Sequence, residues 1–386
     1  MTAWHVITGE YPPAPGGVSD YSHAVAAGLA AAGEHVHVWC PSPLGGAVDV
    51  PGVEVHPLGG SWSRLDLDRI DAEMNRMPGK RRLFVQWVPH AYGRRSLNVA
   101  FCRWLRRRAR TGDILDLMVH EPYLPFREGS LRQDAAAAVH RVMIALLLSH
   151  ARRVWVAIPA WADRLRPWAF GRDIQFCWLP VPSNIPVTES NGAVAQLKSR
   201  VLSGADGLIV GHFSTYSRRV RRDLATLLPR LLSDLPELQV QLLGRGGEQV
   251  VEDLRPILGG DVCRVHAPGA LDPGALSCHL QACDLMMQPY PDGVSTRRGT
   301  LMAALAHGLP VVTTIGPLSE SFWLVSNGIV SVPAGDLPAM ALAVSGLARQ
   351  PERRRTLAAA ARATYESQFS LPHVINALRA DSCRVN

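Results

Sequence analysis

Short β-like runs alternate with helical stretches from one end of the 386-residue sequence to the other. WHVITG (Trp4–Gly9) reads as a strand, Ser19–Ala32 as a helix stopped at Gly33, and HVHVWC (His35–Cys40) as the next strand. VEVHPL, RLFVQWV, DILDLMVHE, VWVAIP and IQFCWLP continue the series. Parallel strands need a helix-length crossover between them, so this alternation predicts a mainly parallel sheet with helices on both faces. Around LPVPSNIPVTESNGA (Leu179–Ala193) the composition turns to Pro, Ser, Asn and Gly. That is the pattern of a linker. A second series then runs through LIVGHFS, LQVQLLG, VCRVHAPG, DLMMQPY, PVVTT and GIVSVP. The expectation is two doubly wound α/β domains of similar size. Ligands in such sheets collect at the carboxyl ends of strands, and two facing domains set those ends across one cleft.

Length supports the division, since 386 residues exceed one ordinary core. A hydrophobic content of 47% with 19% charged residues describes a folded chain rather than a disordered one. The net charge of +7 is almost entirely arginine, lysine occurring only at Lys80 and Lys198. A basic balance favours anionic partners, although an arginine-rich genome gives the same excess. The seven cysteines show no paired spacing and suit reduced thiols in a cytoplasmic protein. Cys278, His279 and Cys283 match no usual zinc pattern, and no metal is expected. MTAWHVITGEYPP lacks the basic and apolar segments of a signal peptide, and no apolar run reaches the ~18 residues of a membrane span.

Five motifs fall at predicted strand ends. In GEYPPAPGGVSDY, Gly16 and Gly17 lead a Pro-rich loop into a helix, leaving N–H groups for an anion or making a plain β–loop–α connection. In DLMVHEPYLPF, His120 and Glu121 follow an apolar strand, and His90 holds a comparable place in VQWVPHAYG. A histidine there hydrogen-bonds a sugar hydroxyl, shares a developing charge, or is structural. VGHFSTYSRRVRRDL sets His212 and then Arg218, Arg219, Arg221 and Arg222 at a helix start. Cations there oppose the helix dipole unless an anion binds; the helical twist keeps all four from facing one cleft, and Arg218 or Arg219 is favoured for such a role with the rest solvated. LLGRGGEQ places Gly244, Arg245, Gly246 and Gly247 in a Gly-rich turn. PYPDGVSTRRGTLMAALAHGLPVVTT carries Asp292, Ser295, Thr296, Arg297 and Arg298 into a helix. Its hydroxyls, N–H groups and guanidinium groups either match the needs of a phosphate or serve only to cap the helix.

Taken in order, these pieces resemble a GT-B-fold glycosyltransferase of the retaining family 4 type (glycosyltransferase group 1). The Gly16–Gly17 helix, His120, LPVPSNIPV, ACDLMMQPYPDG, AALAHGLPVVTT, GPLSE, NGIVSVPAGDLPAMALAVSGLA and the closing YESQFSLPHVINAL carry the likeness over nearly the whole chain. The family pattern departs at its E-x7-E pair: counting back from Gly308 gives Ala303 and Ser295, whereas counting from QPYPDG gives Asp292 as the sugar-side acid. Glu320 matches the glutamate of the GG..E segment. His212 stands where the family has an arginine, and the family lysine falls near Ser217–Arg218, so Arg218, Arg297 and Arg298 are expected to restore the diphosphate-binding charge.

The resemblance implies an N-terminal acceptor domain (1–184), a linker (185–205), a C-terminal nucleotide-sugar domain (206–369) and a final helix (370–386) returning to the first domain. It implies metal-independent sugar transfer from a nucleotide-diphosphate sugar with retained anomeric configuration, through a front-face departure of the diphosphate and hinge closure about the linker. His120 and Asp292 would serve catalysis. Gly16, Gly17, His212, Arg218, Arg245, Ser295, Thr296, Arg297, Arg298 and Glu320 would bind the donor. No cofactor and no nucleic acid are implied; the acceptor is a carbohydrate, a lipid-linked or a small molecule. A non-catalytic relative that binds a glycan or partner, a phosphorylase and an epimerase stay open as alternatives. In 94–112 the stripe Leu97, Phe101, Trp104 and Leu105 among arginines is read either as a peripheral contact with an anionic membrane or as packing into the N-terminal domain. Acceptor contacts are expected in variable N-terminal loops such as Pro122–Gln133.

Overall fold

The computed structural model describes residues 2–380 apart from 43–45, 47, 61, 94–95, 128–129 and 205. Arg94, Arg95, Glu128, Gly129, Cys383 and the end of the expected 370–386 segment therefore lie outside the described residues. The chain divides into two compact units, Met1–Val181 with Leu371–Asn386, and Pro182–Ser370.

The first unit holds a seven-stranded parallel sheet, β1 (Thr2–Ile7), β2 (Val36–Pro41), β3 (Val53–Leu58), β4 (Lys80–Trp87), β5 (Ile114–Val119), β6 (Arg153–Val156) and β7 (Gln175–Trp178), in the order β3-β2-β1-β4-β5-β6-β7. Its helices are α1 (Gly17–Ala31), α2 (Arg64–Arg76), α3 (Val99–Arg110), α4 (Leu131–Leu148) and α5 (Pro159–Leu165). Val6, Val38, Phe84, Leu117 and Val154 are fully buried in the sheet, as expected for strands covered on both faces.

The second unit holds six parallel strands, β8 (Leu208–Phe213), β9 (Leu238–Leu243), β10 (Val265–His266), β11 (Leu285–Gln288), β12 (Val311–Ile315) and β13 (Ile329–Pro333), in the order β10-β9-β8-β11-β12-β13. Its helices are α6 (Asn191–Val201), α7 (Arg218–Asp234), α8 (Gly247–Leu258), α9 (Pro273–Ala282), α10 (Gly299–Ala306), α11 (Phe322–Val325), α12 (Leu337–Ala348) and α13 (Pro351–Thr364). Along α7 the buried residues Leu224, Leu227, Leu228, Leu231 and Leu232 form one apolar face against the sheet. Burying each such leucine contributes roughly 1.5–3 kcal/mol.

Strand order reverses beside β1 and β4 in the first unit and beside β8 and β11 in the second. These switch points open crevices at the carboxyl ends of strands, where ligands of doubly wound sheets bind. The last helix, α14 (Leu371–Arg379), belongs to the first unit and buries Val374, Ile375 and Leu378. Arg153 Nη1 donates to the Ala380 carbonyl at 3.1 Å, and Arg379 Nε reaches Glu34 Oε1 at 2.8 Å.

Two local features differ from a reading of composition. The expected linker contains α6 and is tied to α9 and to the residue before β11: Ser277 Oγ accepts the Thr188 N–H at 3.1 Å, and Lys198 Nζ of α6 donates to Asp284 Oδ1 at 2.5 Å. On α3, Phe101, Trp104 and Leu105 are buried in the first unit and Arg108 is buried against Asp113, Asp71 and Asn75, while Leu97, before the helix, stays exposed. Three of the four stripe residues are thus spent on the core, and of that helix Arg103, Arg107 and Arg110 are exposed, Arg107 pairing with Asp71 at 2.5 Å. Cys40, Cys102, Cys263, Cys278 and Cys283 are free thiols. Among the described residues no helix is long and apolar enough to cross a membrane.

Candidate functional site

In the second unit the loop Pro291–Arg298 leaves β11 and turns into α10. It is anchored on β12, where Thr314 accepts the Val294 N–H at 2.7 Å and donates its own hydroxyl to the Tyr290 carbonyl at 2.6 Å. Gly293 adopts φ +89°, and a Cβ there would lie 2.3 Å from both the Gly316 nitrogen and Ser319 Oγ. Only glycine lets this loop press against the segment after β12.

Within the loop, Asp292 is the hub. Its two carboxylate oxygens each pair with one guanidinium, Oδ2 with Arg297 and Oδ1 with Arg298. All three side chains are partly exposed, and the Arg298 guanidinium lies 4.8 Å above the Tyr290 ring. Adjacent cations at a helix start are unfavourable alone, and here the chain supplies its own counterion. The cluster keeps a net positive charge beside the N-terminus of α10, whose cap residue is Arg298. Ser295 Oγ, fully buried, has no hydrogen-bond partner.

Glu320 stabilises the same loop from below. Oε1 accepts the Thr296 N–H at 2.9 Å and the Thr296 hydroxyl at 2.5 Å, and Oε2 accepts Trp323 Nε1–H at 2.7 Å. Burial pushes its carboxyl above the ordinary range against the opposing pull of those hydrogen bonds. Ala303, at the position of the family's second acid, is fully buried inside α10 and carries no polar group.

The loop after β8 lies at the same switch point. His212 is buried and its pKa is lowered by desolvation to about 3, so it is neutral and adds no cation. Its Nδ1 has no partner, and Tyr216 donates its hydroxyl back to the His212 carbonyl at 3.0 Å. Arg218 and Arg219 are exposed in the first turn of α7, while Arg221 is engaged with Asp253 at 3.1 Å and with the Tyr216 carbonyl. Arg245 is exposed on the turn before α8, and that turn presses on the Ser214 backbone at Gly244. His279 Nδ1 meets Gln241 Oε1 at 2.5 Å.

In the first unit, His120 follows β5 and is half-buried. Its Nε2 bonds to Gln86 Oε1 at 3.0 Å, its ring meets Tyr21 edge-on at 4.9 Å, and desolvation lowers its pKa to about 3. A neutral imidazole whose Nε2 proton is taken by Gln86 offers Nδ1 as an acceptor, which suits a sugar hydroxyl rather than a shared positive charge. Tyr21, buried and without a partner for its hydroxyl, stands beside it. His90 and Glu121 are exposed.

The start of α1 departs from a bare anion site. Glu10 Oε1 accepts the Ser19 N–H at 3.0 Å, and a Cβ on Gly16 would come within 2.3 Å of that same oxygen. The chain's own carboxylate thus occupies part of the helix N-terminus, which favours negative charge. Gly17 faces open space, with no atom within 4 Å of a Cβ built there. Sequence reading passed over Glu10, Gln86 and Tyr21, since none has a local signature and their partners are distant in the chain.

Residues 205–350 match the family model described as Glycosyl transferases group 1. No curated protein matches the chain. Among solved structures it is similar to the sucrose-phosphate synthase of Thermosynechococcus elongatus (18% identity, 98% of this chain and 97% of that one, TM-score 0.71). It is also similar to Anabaena HepE in complex with UDP and glucose (16% identity, 98% of each chain, TM-score 0.67). A third likeness is to WaaG, a glycosyltransferase involved in lipopolysaccharide biosynthesis (16% identity, 99% of this chain and 100% of that one, TM-score 0.67). At these identities the likeness is one of fold. The chain therefore has the two-domain GT-B architecture, and its stretch 205–350 is similar to the glycosyl transferases group 1 family.

Proposed function

We propose that the protein transfers a sugar from a nucleotide-diphosphate sugar to an acceptor with retention of anomeric configuration. The observation that carries this reading is the pair of guanidinium groups of Arg297 and Arg298, held on Asp292 at the N-terminus of α10 and at a strand-order switch point. It is joined by the group 1 domain match and by UDP-glucose in a solved structure of the same fold.

As the bond from the sugar to the diphosphate breaks, negative charge grows on the leaving oxygens. Arg297 and Arg298 carry that charge through charge-assisted hydrogen bonds, with Arg218 and the α10 N–H groups in support. Ser295 Oγ finds its missing partner on a phosphate or ribose oxygen. Asp292, relieved of part of its ion pairing by the incoming diphosphate, turns an oxygen toward the sugar. Glu320 acts through Thr296 and fixes the loop without touching donor. In the first unit, His120 accepts a hydrogen bond from a sugar hydroxyl at Nδ1, and Gly17 leaves room for the transferred group. No carboxylate stands as an attacking nucleophile in this reading, which fits a front-face path in which the departing phosphate takes the acceptor proton.

One observation favours a second reading. Both oxygens of Asp292 are committed to arginines and Ala303 brings no acid, as in a relative that binds a glycan or partner without transfer. Incubation with a panel of nucleotide sugars, read by release of nucleoside diphosphate and by NMR of the product's anomeric centre, separates the two. Turnover with a retained configuration is expected. Absence of turnover across the panel supports the binding protein, and an inverted product refutes the retaining path.

A further inference from the structure

We propose that His37, Glu54 and His56 form a binding site for a divalent transition-metal ion, zinc in the first place. The site is independent of the sugar-transfer reading. It arises directly from the sheet register. His37 on β2 is paired with Glu54 on β3, and His56 lies two residues further along β3, so all three side chains share one face of the sheet.

Their ligand atoms converge. His37 Nδ1 lies 3.1 Å from His56 Nε2 and 3.3 Å from Glu54 Oε2, and His56 Nε2 lies 3.5 Å from Glu54 Oε1. A tetrahedral ion with bonds of ~2.0–2.1 Å to nitrogen and oxygen has ligand edges of about 3.3–3.4 Å. The His37–His56 separation and the two contacts to Glu54, one to each carboxylate oxygen, lie close to that value, so a small turn of the exposed Glu54 side chain sets one oxygen as the third ligand and leaves a fourth position for water. Two imidazoles and one carboxylate also form a donor set that suits zinc, and nickel or cobalt after it.

The surroundings orient the ligands as metal sites do. Glu73 Oε2, from α2, lies 3.5 Å from His56 Nδ1, the nitrogen turned away from the cluster, and Glu73 Oε1 is itself held by Arg69 Nε at 2.7 Å. A carboxylate behind a ligating histidine fixes its tautomer and presents the lone pair of the other nitrogen. The His56 ring stacks on fully buried Trp39 at 4.1 Å, and the His37 ring stacks on buried His5 at 4.8 Å. Both imidazoles are therefore pre-oriented, while the Glu54 side chain remains 64% exposed and leaves an entry path. His37 and Glu54 are the second residues of their strands, whereas His120 and the Asp292 loop follow the carboxyl ends of theirs. The ion would thus clamp edge strand β3 to β2 and, through Glu73, to α2, as a structural ion rather than a catalytic one. Among the described residues this is the one such group of histidine and carboxylate ligands.

The test is titration of the tag-free, chelator-treated full chain with Co2+ alone, read by the visible absorption of four-coordinate cobalt, followed by displacement with Zn2+. One saturable equivalent is expected, with a raised melting temperature. Glu54→Gln, a change at an exposed side chain that leaves the fold intact, should weaken binding at least tenfold. Glu73→Gln should weaken it about 10–100-fold, and H37Q/H56Q should abolish it. Absence of saturable binding, or binding unchanged in Glu54→Gln and in the double variant, overturns the proposal.

Discussion

Replacing Asp292 with Asn separates a bound-phosphate role of Arg297 and Arg298 from a purely structural one. The carboxylate pairs with both guanidinium groups, so it competes with any diphosphate for the same donors. Asparagine keeps the shape and removes one negative charge. For a phosphate charge roughly 6 Å from that position, an effective dielectric of about 20–80 gives a repulsion of about 0.7–2.8 kcal/mol per unit charge. Partial exposure of all three side chains places the result toward the lower half of that range. Binding of the matching nucleoside diphosphate should therefore tighten about tenfold, since ~1.4 kcal/mol is one decade. Turnover should fall at the same time, because the sugar-side acid is gone. The assay is isothermal titration calorimetry at two salt concentrations, with the gain shrinking at high salt. Unchanged or weaker binding in Asp292→Asn would refute the competition argument and assign the cluster to loop folding alone.

Three further outcomes follow from the geometry. Gly293→Ala should distort the loop, since φ +89° costs a non-glycine residue roughly 1–2 kcal/mol and the new methyl meets Gly316 and Ser319; chemical denaturation and nucleotide binding should both report the loss. Glu320→Ala leaves the Thr296 N–H and hydroxyl and Trp323 Nε1 without their acceptor, so it should cost about 1–3 kcal/mol and weaken nucleotide binding, while Glu320→Gln should recover most of the stability. For pH, His212 has its folded pKa depressed to about 3 from an ordinary 6.5, so the unfolded chain takes up the proton first as pH falls. Its contribution is complete above about 6.5 and is lost as pH falls toward 3, amounting to about 1 kcal/mol between pH 7.5 and 5.5; urea unfolding of His212→Gln should show a pH slope reduced by that amount.

The strands were legible because each is a short apolar run bounded by turn residues. All thirteen coincide with runs read from the pattern, including β10, which shrinks to two paired residues. The candidate loops were legible for a topological reason, as doubly wound sheets force functional loops to the ends of strands. Side-chain pairing was not. That Asp292 serves two arginines, that Glu320 holds Thr296 and Trp323, and that Glu10 occupies the start of α1 depend on loop geometry that no local period encodes. The α3 stripe shows the same limit. An amphipathic period gives an apolar face but does not say what covers it, and the protein's own core covers Phe101, Trp104 and Leu105. His37, Glu54 and His56 were visible as alternating residues in two strand runs, yet only the parallel register brings them together.

The most direct test of the donor-site account is calorimetric titration of the protein with UDP, GDP, ADP and TDP, repeated on Arg298→Ala. The account predicts micromolar binding of one nucleotide, weakened at least tenfold in the variant. Binding by none of the four, or binding indifferent to Arg298→Ala, would contradict it.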